Sequence, residues 1–304
     1  MPPAIEAVVL DLDSSVAPQD LGAAVRIDLR AWGPRLRLGC GMAQFAAFQR
    51  ELAGQLARLS LERTAMVFGG SGDFHHVSLA LLRRLQSPCN LLVLDKHPDW
   101  VQGLPFLHCG TWLRHVLDLD HVGRIFHVGG EGDFEHGLWG RLSPWPALRE
   151  GRIVVLPALR PFTRFHWSDI PHQALRPAEH ERVTPARLAK LLEPYRRVLA
   201  ARPLYISLDK DVLTGSHAAG NWDSGHLTFR EVQHVIRTFV SASQGLAGMD
   251  VFGDWSACAT QGLLRGLLRW EHWGGPHVET HTARVGHARI NRLLVRCVSR
   301  GMVG

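Results

Sequence analysis

Short apolar runs alternate with amphipathic stretches along most of this chain. Ala7 to Leu12, Ala65 to Phe68, Asn90 to Leu94, Ile125 to Val128, Ile153 to Leu156, Leu204 to Leu208 and Leu246 to Phe252 are brief and largely aliphatic. Runs of that kind, apolar on both alternating faces, predict strands covered on both sides. Between them, Met42 to Leu59 and Val77 to Leu85 space their apolar residues at helical intervals. Thr184-Pro185 opens a helix expected to reach about Ala201, with Thr as cap and Pro in the first turn. Thr228-Phe229-Arg230-Glu231 is a capping box for another. Strand and helix in alternation predict an α/β fold. The expected architecture is a three-layer α-β-α sandwich around a mostly parallel central sheet, in a single domain over residues 1–304.

Two of these strands run into acidic clusters: Asp95-Lys96-His97-Pro98-Asp99 after Leu94, and Asp209-Lys210-Asp211 after Leu208. Side chains alternate along an extended chain, so Asp95, His97 and Asp99 should share one face and Asp209 and Asp211 another. Lys96 and Lys210 are then expected to point away and to meet acceptors behind the site. A third strand opens into Gly69-Gly70-Ser71-Gly72-Asp73, with His75 and His76 where the next helix begins. That turn lacks the Gly-Lys-Ser/Thr ending of a phosphate loop. Sites in open parallel sheets lie beyond the carboxyl ends of the strands. Carboxylates and imidazoles without thiolate suit two divalent ions, with Mn²⁺ favoured and Fe, Zn or Co as alternatives.

In order and spacing these segments resemble the ureohydrolase superfamily of arginases and agmatinases, which carries Gly-Gly-Asp-His, Asp-x-His-x-Asp and Asp-x-Asp segments. The second and third match fully. Gly72-Asp73-Phe74-His75-His76 offers two histidines for one ligand position; His75 is favoured because it leaves Val77 and Leu79 on the apolar helix positions, and His76 stays open. Leu107-His108-Cys109-Gly110-Thr111-Trp112 resembles the family's His-Gly-Thr segment, which gives His108 a proton-shuttle role by resemblance. Gly225-His226-Leu227-Thr228-Phe229-Arg230-Glu231 resembles its Gly-Gly-Leu-Thr-x-Arg-Glu segment. The resemblance runs from about Ala65 to Asp254. It implies an arginase-like fold and a metal-dependent hydrolase of linear amidines, with Asp99 and His108 in catalysis. His75 or His76, Asp95, Asp99 and Asp209 would hold one ion, and Asp95, His97, Asp209 and Asp211 the other. A hydroxide bridging them would attack the guanidino or amidino carbon of a small molecule. The family also implies a homo-oligomer.

Departures concern the substrate pocket. The third motif continues Val212-Leu213-Thr214-Gly215 where arginase-like members have Asp-Pro, and Gly253, followed by Asp254, stands where they carry a glutamate for the guanidinium. Trp222, His226 and Asp254 are the candidate substrate contacts. A shortened loop from Asp99 to His108 predicts that free L-arginine is a poor substrate, because a buried carboxylate without a partner costs several kcal/mol, on the order of a lost ion pair.

Other readings are distinguishable. Deacetylase-like enzymes share this fold but use one zinc, whereas keeping both Asp99 and Asp211 favours two ions. Val8-Val9-Leu10-Asp11-Leu12-Asp13-Ser14-Ser15 resembles the nucleophile motif of haloacid-dehalogenase-type phosphatases but lacks the Gly-Thr after Asp13. A metal-free protein would need a lysine, such as Lys210, in place of an ion. Five scattered cysteines suit reduced thiols, and without a secretory signal or apolar span the expectation is a cytoplasmic protein with no membrane partner. The net charge of +6 is spread along the chain except for Arg284 to Arg300. There Ile290, Leu293, Leu294 and Val298 fall at helical spacing, which predicts a terminal packing helix and no nucleic-acid partner.

Overall fold

The computed structural model describes residues 6–22, 24–59, 65–102, 105–130, 140–159, 174–176, 181–215, 220–257 and 280–301. Its strands are β1 (Glu6–Asp11), β2 (Ala24–Asp28), β3 (Gly39–Cys40), β4 (Ala65–Phe68), β5 (Cys89–Leu94), β6 (Leu107–His108), β7 (Val122–Gly129), β8 (Ile153–Pro157), β9 (Leu204–Asp209) and β10 (Leu246–Phe252). Its helices are α1 (Gly33–Leu36), α2 (Met42–Ala57), α3 (Ser78–Leu82), α4 (Trp112–Val116), α5 (Trp145–Arg149), α6 (Pro185–Leu192), α7 (Arg196–Ala200), α8 (Phe229–Ala242) and α9 (Thr280–Gly301). Eight strands make one sheet in the order β2-β1-β4-β10-β9-β5-β7-β8. Every neighbouring pair in it is parallel. The short β3 and β6 pair antiparallel beside it, Gly39 opposite His108.

Strand alternation divides the core in two. Val8, Leu10, Leu91, Val93 and Ile125 pack with Phe45, Phe48 and Leu52 of α2, Leu82 of α3 and Leu113 of α4. Their neighbours Ala7, Val9, Leu92, Leu94 and Phe126 face Leu188 of α6, Leu199 of α7, Val232 and Phe239 of α8 and Leu294 of α9. That is the three-layer sandwich. Ile290, Leu294 and Val298 seat the arginine-rich terminal helix.

Three local expectations change. β2 escaped the hydrophobic pattern because it is an edge strand with only Ile27 buried. The segment from Thr184 to Ala201 is two helices, since Pro194 has no N–H to continue the first and sits in a 3-10 turn, Glu193–Tyr195. Val77 to Leu85 begins instead as the 3-10 turn Gly72–Val77, and α3 follows it. The phosphatase-like reading of β1 also fails. Asp11 is occupied by Arg26 and the Ser14 N–H, and Asp13 by Ser15 and Arg37.

Candidate metal centre

Sheet register brings the acidic strand ends level. Leu94 of β5 pairs with Leu208 of β9, so Asp95 and Asp209 emerge side by side, and Phe252 of β10 pairs with Asp209. β4 joins on the far side of β10 through Phe68 and Val251. The consecutive strands β4 and β5 thus flank β10 and β9, and the chain ends of all four converge on one crevice. Two glycines admit this crowding. A Cβ on Gly72 would lie 2.6 Å from Asp209 Oδ2, and one on Gly253, whose φ is +90°, would strike Asp209 Oδ1 and Lys210 N. No side chain fits at Gly253, the point where the resemblance calls for a glutamate.

His75 comes from the 3-10 turn after β4, capped by the Ser71 hydroxyl. Its Nδ1 lies 3.0 Å from Asp95 Oδ2, 2.9 Å from Asp99 Oδ2 and 3.8 Å from Asp209 Oδ2, close but not aligned as a hydrogen bond to any of them. Its Nε2 meets Ser207 Oγ at 2.9 Å, and Ser207 donates to Asp250 Oδ1 at 2.7 Å. Tyr205 and Ser78 also donate to Asp250. This buried chain leaves the proton on Nε2 and turns Nδ1 toward the carboxylates.

His97 repeats the arrangement. Its Nδ1 is 2.7 Å from Asp211 Oδ2 and 3.8 Å from Asp95 Oδ1, while Nε2 donates to Asp223 Oδ1 at 3.2 Å. The ligand atoms form two groups, His75 with Asp95 and Asp99, and Asp95 with His97 and Asp211. Asp95 turns one oxygen to each. Asp99 holds a left-handed φ of +53° and receives the Trp112 indole N–H at 2.7 Å, which aims its carboxylate at His75. Behind His97, the buried His127 donates to the His97 carbonyl at 2.8 Å, and burial pushes its pKa down to about 3.

The electrostatics fit cations. Burial, then Asp99, push Asp95 up to about 7; burial, then Asp211, do the same to Asp209; and burial, then Asp95, lift Asp211 to about 6. Burial opposes protonation of His75 and His97, yet the surrounding carboxylates raise both well above the ordinary imidazole value. Asp95, Asp209 and Asp211, buried side by side, resist ionising together unless positive charge joins them. An all-oxygen-and-imidazole set with an unaligned Nδ1 at its centre suits hard or borderline divalent ions.

Not every expected residue joins. His76 turns to the other side of the 3-10 turn, its ring 6.3 Å from Phe45 in the core, so it is not a ligand candidate. Asp254 is no substrate contact. It is 1% exposed, 2.6 Å from Lys210 Nζ, and accepts from Asn291 at 3.1 Å. Lys210 therefore lies behind the site, as alternation predicts, and its ammonium is not between Asp209 and Asp211. Lys96 does not follow, because the strand ends at Leu94: its Nζ pairs with Asp223 on the open side, beside His97. Trp222 does reach the site, its ring 5.3 Å from His97 and its N–H on Asp73 Oδ1 at 2.9 Å. His226 is half-buried and offers its carbonyl to Arg176 at 2.9 Å. His108 sits on β6 with Nδ1 accepting the Gly110 N–H at 3.0 Å and Cys109 Sγ 3.6 Å from the ring. The Cys109 thiol feels the cluster: burial, then Asp99 and Asp73, push it well above its usual value. Asp223, Asp250, Ser207 and His127 were not foreseen.

The arginase family's sequence model matches residues 39–253, more than two thirds of the chain. This chain belongs to the arginase family. Among curated proteins, an uncharacterised protein of Thermotoga maritima is 22% identical over 189 residues, covering 62% of this chain and 58% of that protein. This chain thus matches less than two thirds of that relative's length. Among solved structures, arginase from Medicago truncatula superposes with a TM-score of 0.57 at 15% identity, over 98% of this chain and 87% of its own. Proclavaminate amidino hydrolase from Streptomyces clavuligerus gives 0.55 at 17%, over 99% and 94%. Formimidoylglutamase from Bacillus subtilis gives 0.52 at 12%, over 98% and 88%. At these identities the likeness establishes the arginase-like α/β fold.

Proposed function

We propose that this arginase-family chain is a binuclear-metal hydrolase that cleaves a carbon–nitrogen bond in a small amidino or guanidino compound. The observation that carries the reading is the pair of His/Asp groups joined through Asp95. His75, Asp95, Asp99 and Asp209 would hold one divalent ion, and Asp95, His97, Asp209 and Asp211 the other, Mn²⁺ being favoured by the donor set. Ions bound there would supply Lewis acidity and a water that ionises near neutral pH. The protein's own part is orientation. Ser207 and Asp250 fix His75, Asp223 fixes His97, and Trp112 fixes Asp99. Trp222 covers His97 from the open side. His108, held by the Gly110 N–H on its Nδ1 and with Cys109 Sγ against its ring, would carry a proton to a departing amine.

Gly253 and the inward turn of Asp254 remove the late acidic grip on a guanidinium. The substrate class is therefore defined by a planar amidino carbon, and L-arginine should be turned over more slowly than its decarboxylated amine. The test loads the protein with Mn²⁺, counts ions by elemental analysis, and follows urea or ammonia release from guanidino and formimino compounds. Two ions per chain, anomalous density between Asp95 and Asp209, and turnover of at least one substrate are expected. Two bound ions without turnover of any amidino compound would overturn the activity, and one zinc per chain would favour a deacetylase-like enzyme.

A further inference from the structure

The sheet has a second charged end. At the start of the strands, about 16 Å from Asp95 along β5 by the rise of five residues, a cavity of about 530 Å³ is lined by Arg124, Arg152, Arg197 and Arg202, with Glu150 its one carboxylate. Arg124 stands near the start of β7, Arg152 and Arg202 just ahead of β8 and β9, and Arg197 on α7.

The floor is built to admit them. Asn90 donates to the Val198 carbonyl at 2.9 Å and accepts the Arg124 N–H at 3.0 Å, tying α7 to β7. A Cβ on Gly123 would come within 2.6 Å of Asn90 Oδ1 and 2.8 Å of Arg202 Nη1, so the glycine leaves room for the guanidinium. Seven arginines elsewhere (Arg26, Arg30, Arg37, Arg114, Arg176, Arg196 and Arg292) pair with carboxylates. Among the described residues these four have no carboxylate oxygen within 4.0 Å. Arg152 spends Nη2 on the Val122 carbonyl, and its buried Nε has no hydrogen-bond partner among the described residues. Burial, then Arg202, lower its pKa, with Asp120 opposing.

Four arginines lining one cavity with a single carboxylate supply the charge and the donors that phosphate oxygens take, and the volume is that of a small-molecule site. We propose that this cavity is a binding site for a small phosphorylated molecule, separate from the metal centre and independent of the hydrolase reading. The guanidinium groups of Arg152 and Arg202 grip the phosphate, and Arg124 and Arg197 neutralise the remaining charge.

The test is calorimetric titration of the full-length, metal-loaded protein with inorganic phosphate and pyrophosphate at fixed salt. One saturable site per chain, tighter for pyrophosphate, is expected. Arg202→Gln should weaken it by roughly ten- to a hundredfold, the worth of a charge-assisted hydrogen bond, while metal content stays unchanged. Glu150→Gln, an exposed change with little risk to folding, should tighten it. Pyrophosphate binding that Arg202→Gln and Glu150→Gln leave unaltered would belong to the metal ions and would overturn the proposal. So would the absence of saturable binding, a single-stranded oligonucleotide that binds where pyrophosphate does not, or a change of oligomeric mass in Arg202→Gln without a change in phosphate affinity.

Discussion

The same strands end in opposite charge. At the carboxyl ends of β5 and β9, Asp95, Asp99, Asp209 and Asp211 crowd together with two imidazoles; at the amino ends of β5, β7, β8 and β9, four arginines face one glutamate. Elsewhere two buried charges are answered within the fold, Lys210 by Asp254 and Arg176 by Glu231. Desolvating a charge without a partner costs more than it returns, which bears on the buried carboxylates of the acidic end more strongly than on the basic end, where Arg197 is exposed. The acidic end calls for cations and the basic end for an anion.

The sharpest way to break that comparison is Asp209→Asn. Asp209 lies 3.8 Å from His75 and feels Asp211, so it stands between the two groups. Removing its charge should abolish binding of at least one ion and lower turnover by more than the roughly ten- to hundredfold of outer-shell changes. Metal analysis and kinetics on the same preparation decide it. A variant that keeps two ions would exclude Asp209 as a bridge.

The matched set behind the site gives the next largest effect. Lys210 is fully buried against Asp254 and Asn291 of α9. Lys210→Met leaves the Asp254 carboxylate buried beside an apolar chain, and unfolding stability should fall by about 3–5 kcal/mol. Metal affinity should drop roughly ten- to a hundredfold, because the backbone between Asp209 and Asp211 loses its anchor. Replacing Asp254 with Leu in the same protein should restore most of the stability. Chemical denaturation of both variants checks this. An increase in metal affinity in the single variant would revive the metal-free reading.

The sequence made the sheet legible and half of the site with it. Aliphatic runs are unambiguous when both faces are buried, and Asp95, His97, Asp99, Asp209 and Asp211 directly follow such runs, so their convergence follows from topology. The choice between His75 and His76 did not. It depends on a 3-10 turn, where each residue rotates about 120° around the axis and two adjacent histidines face different directions. Lys96 was misplaced for a similar reason, since alternation stops where the strand stops. Asp254 looked available because its partner Lys210 lies 44 residues earlier and Asn291 lies on a later helix. Asp223 falls in Asn221-Trp222-Asp223, a stretch with no periodicity, and only the folded chain shows that it meets His97.

That carboxylate sharpens the acidic end. Hydrogen bonds from His97, then Lys96, hold Asp223 well below the usual carboxylate range even though burial opposes it. Its role is to orient His97, so Asp223→Asn should retain both ions but bind the one on His97 roughly tenfold more weakly. Competition with a chelator measures this. Unchanged affinity would mean that the contact between Asp223 and His97 serves only the protein surface.

The smallest effect belongs to the matched pair that closes the cap of α8. Glu231 accepts from Arg176, from the Val183 N–H and from Thr228, and together these outweigh burial and lower its pKa below 4.5. A carboxylate whose folded-state pKa is depressed contributes stability that is complete above its unfolded value and vanishes as pH falls through the folded one. Glu231→Gln should therefore cost about 1–2 kcal/mol at pH 7, the usual worth of a helix cap, and the gap from the parent should narrow once pH drops below 4.5. Neither the ion content nor phosphate binding should change, because this charge is already answered within the fold. Urea unfolding of both proteins between pH 7 and pH 3 reads the gap directly, and a gap that stays constant over that range would show that Glu231 acts by shape and not by charge.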